Sequence, residues 1–180
     1  MENACTLLLG QVDDQRRAQT VAVADVGANT TTLHVLHDGR IVYTREQNFG
    51  GNQLLDEIQH RYSIPRPEAF EKLVANTLPA HINHEVLGPF KEALAQQIAR
   101  ALQFFYSASN FQRTDQVILA GGAAAIADID GLTEGRLGFP VSIANPFAHM
   151  GLAVGIDANA VARAAPSMMI ATGLALRAFD

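Results

Sequence analysis

One stretch of the chain concentrates groups that could bind an anion and a metal together. Residues 21–36 read VAVADVGANTTTLHVL, two apolar, β-branched runs flanking Asp25-Val26-Gly27-Ala28-Asn29-Thr30-Thr31. Val21–Val26 and Thr32–Leu36 have strand composition, so the polar block is predicted to be the turn of a hairpin. Gly27 lets the backbone turn and approach a ligand closely. Asn29, Thr30 and Thr31 add backbone N–H donors and hydroxyls able to face phosphate oxygens. Asp25, where the first strand ends, is placed to hold a hydrated Mg²⁺. Turns between strands favour Gly, Asn, Asp and Thr for backbone reasons alone, so by itself the stretch also fits an ordinary turn.

Two other segments carry related chemistry. Gln116–Ala120 reads as a buried strand running into Gly121-Gly122-Ala123-Ala124-Ala125-Ile126. A strand, a glycine turn and a helix start form phosphate- or nucleoside-binding geometry in many α/β folds, and small residues let a base or ribose rest on backbone. An ordinary tight connection is the alternative. Phe49-Gly50-Gly51-Asn52 opens a helix; the paired glycines either bring its N-terminus to an anion or make a tight turn. In the longest predicted helix Leu87, Phe90, Leu94, Ile98, Leu102 and Phe105 form one apolar stripe. Lys91, Glu92, Gln96, Gln97, Arg100 and Gln103 form a solvated face, with Arg100 the member to watch.

The remaining elements must position these groups. His37-Asp38-Gly39-Arg40 is a hairpin turn and Ile41–Thr44 a third strand, giving an antiparallel meander. Leu54, Leu55, Ile58 and Tyr62 recur at helical spacing until Pro65 and Pro67 end the helix. Glu68–Val74 is a second, short helix and Asn76–His84 a loop, and Gly88 and Pro89 precede the long helix. Ile129–Leu137 is a helix capped by Gly138, Phe139–Ala144 a strand, and Asn145-Pro146-Phe147 a turn. Residues 151–165 are small and Ala-rich. Pro166 sits near the first turn of a last helix. Met168, Met169, Ile170, Leu174, Leu176 and Phe179 make that helix apolar nearly all round, so an exposed apolar patch and self-association are expected. Residues 1–19 form a lead-in: Ala4–Leu9 is apolar but too short to stand alone, and Asp13–Arg17 is charged.

Composition narrows the function classes. With 180 residues, 48% apolar and 17% charged, the chain is folded and suits one domain or two small lobes. A net charge of -5 argues against general nucleic-acid binding. Its one cysteine, Cys5, excludes an internal disulfide and a cysteine-based zinc site. The six histidines show no HExxH spacing. There is no signal peptide and no stretch long enough to span a membrane, so the expected compartment is the cytoplasm. The sequence holds no GxSxG, no Walker lysine motif and no carboxylate pair spaced for hydrolysis, which leaves a nucleophile-based enzyme unsupported.

In order and spacing, these segments resemble the second half of an actin-like nucleotide-binding protein, the superfamily of actin, the sugar kinases, the seventy-kilodalton heat-shock chaperones and FtsA. Residues Val23–Thr31 resemble its second phosphate loop, Ile118–Ala123 its adenosine motif, and Ala165–Leu176 its second connecting helix. A closer resemblance is to the type IV pilus assembly PilM family. It rests on the runs Tyr43–Gln47, Phe49-Gly50-Gly51, Leu102-Gln103-Phe104-Phe105, Leu119–Gly122, Val141–Phe147 and Gly173-Leu174-Ala175-Leu176-Arg177, and it covers nearly all of the chain from Ala4.

The resemblance implies an α/β, actin-like (ribonuclease H-like) lobe with a mixed sheet, an antiparallel meander followed by strand–helix units. Residues 20–164 would be the lobe and 165–180 a connecting helix packed against a first lobe. Asp25 would hold Mg²⁺ through water. Gly27, Asn29, Thr30 and Thr31 would line the β- and γ-phosphates, and Gly121, Gly122 and Ala123 would rest against adenosine. Arg100 aligns with an arginine that stacks on adenine in the chaperones, and Gln96 falls where they carry a ribose-binding acid. Gly50 and Gly51 match a family turn that need not touch ligand.

The implied function is a nucleotide-binding scaffold module of the pilus inner-membrane platform, with ATP as a conformational ligand. Its partners would be a PilN-like membrane protein and the pilus motor ATPases, which would hold it peripherally at the inner membrane. The alternative is an ATPase or kinase of the same superfamily. A kinase needs a positioned acid and both phosphate loops, and the only candidate base, Asp25, is claimed by the metal. The superfamily closes two lobes on its nucleotide, each supplying one phosphate hairpin, and this sequence carries one. Alone it is expected to bind nucleotide poorly and to hydrolyse none, and the PilN groove is implied to lie mostly on the other lobe.

Overall fold

A computed structural model of the chain describes residues 19–176. The readings of Cys5, Ala4–Leu9, Asp13–Arg17, Arg177 and Phe179 fall outside the described residues. The hairpin opens the described structure: β1 (Thr20–Val26) and β2 (Thr31–His37) pair antiparallel, Val26 opposite Thr31. Asp38 (φ 49°) and Gly39 (φ 74°) are both left-handed, as a two-residue hairpin turn demands. They lead into β3 (Arg40–Gln47). This strand runs past the predicted Ile41–Thr44, because Arg45, Glu46 and Gln47 pair with Leu33, Thr32 and Thr31 although their composition carries no strand signal. β4 (Gln116–Ala120) lies parallel to β1, and β5 (Val141–Ile143) parallel to β4. The mixed sheet has the order β3-β2-β1-β4-β5. The C-terminal ends of β1, β4 and β5 therefore share one edge with the β1–β2 turn.

One sheet face carries Ala22, Ala24, Val26, Leu33, Val35, Val117 and Leu119. It packs on α1 (Gly51–Tyr62) through Leu54 and Ile58, on α3 (Gly88–Ala108) through Phe90, Leu94, Ile98, Leu102 and Phe105, and on α4 (Ile129–Leu137) through Ile129. Each such buried side chain stabilises the fold by roughly 1.5–3 kcal/mol. α2 (Arg66–Val74) packs beside α1 and buries Ala69. By strand alternation the other face presents Val21, Val23, Leu36, Ile118 and Ala120, which cluster with Ala144 and Met169. Asp25 belongs to this second face.

Several boundaries differ from the sequence expectations. Gly88 and Pro89 begin α3 instead of preceding it: helical backbone already runs into them through Leu87 (φ -66°, ψ -43°), and the wider π turn, in which the Gly88 N–H reaches the Asn83 carbonyl, comes just before Pro89, which has no N–H to give. The expected loop over Asn76–His84 contains a helical turn at Ala80–Ile82 and runs on into a π turn at Asn83–Leu87. The strand expected over Phe139–Ala144 shortens to Val141–Ile143. The last helix is not continuous: α5 (Ala158–Ala164), a 3-10 turn (Ala165–Met168) and α6 (Met169–Ala175) succeed one another. Pro166 has no N–H to continue the ladder. The alanines upstream form α5 by propensity, with the Asp157 side chain accepting from the Asn159 N–H at 2.8 Å. The terminal segment does expose apolar side chains, among them Met168, Ile170, Leu174 and Leu176. α4 ends as expected on Gly138, left-handed at φ 77°. Among the described residues, no helix is long and apolar enough to cross a membrane.

Candidate functional site

The β1–β2 turn is closed by the Gly27 N–H donating to the Thr30 carbonyl at 2.9 Å, which leaves Ala28 and Asn29 exposed at the tip. The first turn of α1 docks directly onto this tip. The Gly51 N–H donates to the Gly27 carbonyl (3.0 Å) and the Asn52 N–H to the Ala28 carbonyl (2.8 Å). Of the two readings of the paired glycines, the structure selects the tight turn, since these helix donors are already committed. Gly50 is extended (φ -168°), a conformation open to any residue, so space is what requires glycine there. A Cβ at Gly50 would lie 2.5 Å from the Ala28 oxygen and 2.7 Å from the Gly27 oxygen. Thr31 is buried, and its hydroxyl donates to the Phe49 carbonyl at 2.7 Å. Phe49 in turn stacks on Phe90, ring centroids 5.0 Å apart. The Thr31 side chain therefore ties the hairpin to the core.

Asp25 lies one residue before the end of β1, between Thr32 on β2 and Ala120 on β4. Its carboxyl is half-buried, has no hydrogen-bond or ion-pair partner among the described residues, and is raised above the usual carboxylate range by burial. β4 leaves the sheet against it. Gly121 is left-handed (φ 87°), and a Cβ there would stand 2.4 Å from the Val26 oxygen and 2.6 Å from Asp25 Oδ1. Only glycine fits. Gly122, by contrast, is exposed and faces open space. The turn continues as Gly122–Ala125, and its Ala123 Cβ lies 3.8 Å from where a Cβ on Gly51 would sit. The hairpin, the start of α1 and the β4 exit thus meet at one edge. The Gly121 N–H also donates to the Pro166 carbonyl at 2.8 Å, joining this edge to the terminal segment.

The structure brings together Asp25, Gly27, Asn29, Thr30, Thr31, Gly121, Gly122 and Ala123. Gln96 and Arg100 lie exposed on α3, and no hydrogen bond or ion pair among the described residues joins them to this group. The neighbouring side of that helix leans on β3, where Gln47 Nε2 donates to the Gln97 carbonyl (3.3 Å) and the Arg45 guanidinium sits 4.0 Å above the Phe104 ring. Sequence reasoning missed three residues. Asn52 Nδ2 donates to Asn29 Oδ1 (2.8 Å), Arg66 Nη2 donates to Asn52 Oδ1 (2.7 Å), and Asp56 pairs with Arg66. Asn52 stood beside the paired glycines as a polar residue in a first helical turn. Nothing in Pro65-Arg66-Pro67 announces that Arg66 reaches back across α1.

A family model described as "Type IV pilus assembly protein PilM" matches residues 1–179. The chain belongs to this family. Its fold is actin-like, as solved structures agree. It is similar to a protein in a PilM-PilN type IV pilus biogenesis complex, with 21% identity, a TM-score of 0.81, and coverage of 98% of this chain and 50% of that one. The ethanolamine utilization protein EutJ of Carboxydothermus hydrogenoformans matches at 22% identity and TM-score 0.64, over 96% of this chain and 52% of EutJ. MreB5 of Spiroplasma citri, solved bound to AMPPNP, matches at 18% identity and TM-score 0.63, over 97% of this chain and 57% of MreB5. This PilM-family chain therefore spans about half the length of the solved proteins it resembles.

Proposed function

We propose that this chain is the nucleotide-binding lobe of a scaffold in the pilus inner-membrane platform, with Mg-ATP acting as a conformational ligand. The observation that carries the reading is the convergence of the Gly27–Thr30 turn and the Gly121–Ala123 turn around Asp25, half-buried and without a partner among the described residues, at the C-terminal ends of parallel β1 and β4. Open α/β sheets take ligands at that edge, beyond the carboxyl ends of their strands. The residues fit the ligand. Bare backbone at Gly122 with open space before it suits a ribose or base, and the Asn29 amide at the exposed tip suits a phosphate oxygen. Mg²⁺ keeps most of its waters and takes few protein carboxylates. Asp25 alone would hold it through water; among the described residues no group of three or more His, Cys, Asp or Glu gathers to cage a metal. When bound, the ion would neutralise phosphate charge. Similar folds solved with AMPPNP and with ADP support the reading by analogy of fold.

Family membership and the fold shared with the PilM-PilN complex favour a PilN-like membrane protein as partner, which would place the scaffold at the inner membrane. The motor ATPases of the pilus are the second partner class. Calorimetric titration of Mg-ATP into the chain tests the nucleotide site. Weak, saturable, Mg-dependent binding is expected, with Asp25→Ala weakening it about 10-fold or more, the size of one charge-assisted contact, and Gly122→Val weakening it by filling the space where the ligand would rest on bare backbone. Circular dichroism should show the fold of the Gly122→Val variant unchanged, since a Cβ there meets nothing within 4 Å. No binding, or binding indifferent to both changes, would overturn the assignment. Sustained phosphate release abolished by Asp25→Ala would make the chain an enzyme instead.

A further inference from the structure

We infer that Arg66 sets the chemical polarity of the hairpin tip, fixing Asn29 through Asn52 so that its amide NH₂ faces outward as a donor for an anionic phosphate oxygen. The inference rests on the nucleotide reading above and adds a positioning residue to it. The relay starts at the Asp56 carboxylate, which pairs with Arg66. A guanidinium has donors only, so Asn52 must turn its Oδ1 toward Arg66 Nη2, at 2.7 Å. That leaves the Asn52 Nδ2 facing the tip, where it donates to Asn29 Oδ1 at 2.8 Å. Asn29 therefore has its oxygen occupied. Its Nδ2, with two N–H donors, stands on the exposed tip without a partner among the described residues. Asn52 is held in place by its own N–H on the Ala28 carbonyl (2.8 Å). The donor-only guanidinium at the end of the relay decides the orientation of both amides. The tip accordingly presents donors to a group that accepts hydrogen bonds. Arg66 would act only through Asn52, as a positioning residue.

Two measurements on the full chain test this. In the free protein, amide exchange by NMR should show slow exchange at the Asn52 side-chain amide and fast exchange at Asn29. Arg66→Lys, which still offers only donors, should keep that pattern, and Arg66→Met should erase the difference. In binding, Mg-ATP and inorganic tripolyphosphate serve as probes. Asn29→Ala and Arg66→Met should each weaken both by about 3- to 10-fold, the range of one hydrogen bond. The double variant should bind no worse than Asn29→Ala alone, and Arg66→Lys should bind like the unaltered chain. A merely structural Arg66 would give the same loss with or without Asn29. Additive losses, or an exchange pattern unmoved by Arg66→Met, would overturn the relay. If the unaltered chain bound neither probe, the nucleotide reading would fail, and the exchange pattern would still decide whether Arg66 orients Asn29.

Discussion

Gly50 and Gly51 are adjacent in sequence and opposite in tolerance. An alanine methyl at Gly50 would sit 2.5 Å from the Ala28 oxygen, 2.6 Å from its carbonyl carbon and 2.7 Å from the Gly27 oxygen. All three obstacles are backbone, so no side chain can swing away to admit it. The hairpin tip must lift from α1, which sacrifices the Gly51–Gly27 and Asn52–Ala28 bonds and strains the Asn52–Asn29 contact. Forcing one extra methyl into a packed site costs about 1–3 kcal/mol, and each lost hydrogen bond about 0.5–1.5 kcal/mol. Gly→Ala regains about 0.4–1 kcal/mol through the unfolded chain. Gly50→Ala should therefore destabilise by about 1–5 kcal/mol. Gly51→Ala meets only ordinary contacts, at 3.8 Å and 3.9 Å, at the first position of a helix, and should fall between neutral and about 1 kcal/mol stabilising. Urea unfolding followed by circular dichroism, with m-values checked for constancy, measures both. A Gly50→Ala variant within about 0.5 kcal/mol of the unaltered chain, or a Gly51→Ala variant as damaged as its neighbour, would refute the docking geometry.

Thr31→Val leaves the Phe49 carbonyl without its buried donor and should cost about 1–3 kcal/mol, whereas Thr31→Ser keeps the bond; urea midpoints compare them. Burial raises Asp25, so the fold favours its neutral form, and the stability this contributes is complete below its ordinary value of 3.8 and lost as pH rises through the raised native value. Asp25→Asn should then melt higher than the unaltered protein at pH 7, with the gap closing on acidification. A lower melting temperature at pH 7 would contradict an unpartnered carboxylate. Ile170 and Leu174, 41% and 50% exposed on α6, should promote concentration-dependent self-association visible by ultracentrifugation and removed by Ile170→Glu with Leu174→Glu. A clean monomer at all concentrations would count against it.

Local rules carried much of the fold. The β-branched runs on either side of a Gly-Asn-Thr block, the Asp38-Gly39 turn and the apolar stripe of α3 each obey a short-range preference that tertiary structure had no reason to override. The errors arose where the deciding partner is distant. Arg45–Gln47 are strand because β2 offers them a ladder, not because of their own composition. The terminal helix breaks at Pro166, whose carbonyl accepts from Gly121, a residue far away in sequence. A proline near a helix start reads equally well as a first-turn residue or as a break.

The same distinction separates the backbone of the site from its side chains. Glycines report on themselves: Gly121 and Gly50 are glycine because a Cβ would strike the chain beside them, so paired glycines after a strand point to close approach even when its purpose is open. Side-chain orientation carries no such mark. Thr31 looks like a phosphate-facing hydroxyl in sequence and is instead turned inward to Phe49, and Asn29 gains a defined donor face only through Asn52 and Arg66, residues of two different helices. A loop of Gly, Asn and Thr is thus legible as a place where backbone and ligand can meet. Which of its polar atoms are free for the ligand is decided by the helices that dock on it: α1 takes two carbonyls of the tip, and Arg66 of α2 orients the Asn52 side chain that turns the last amide outward.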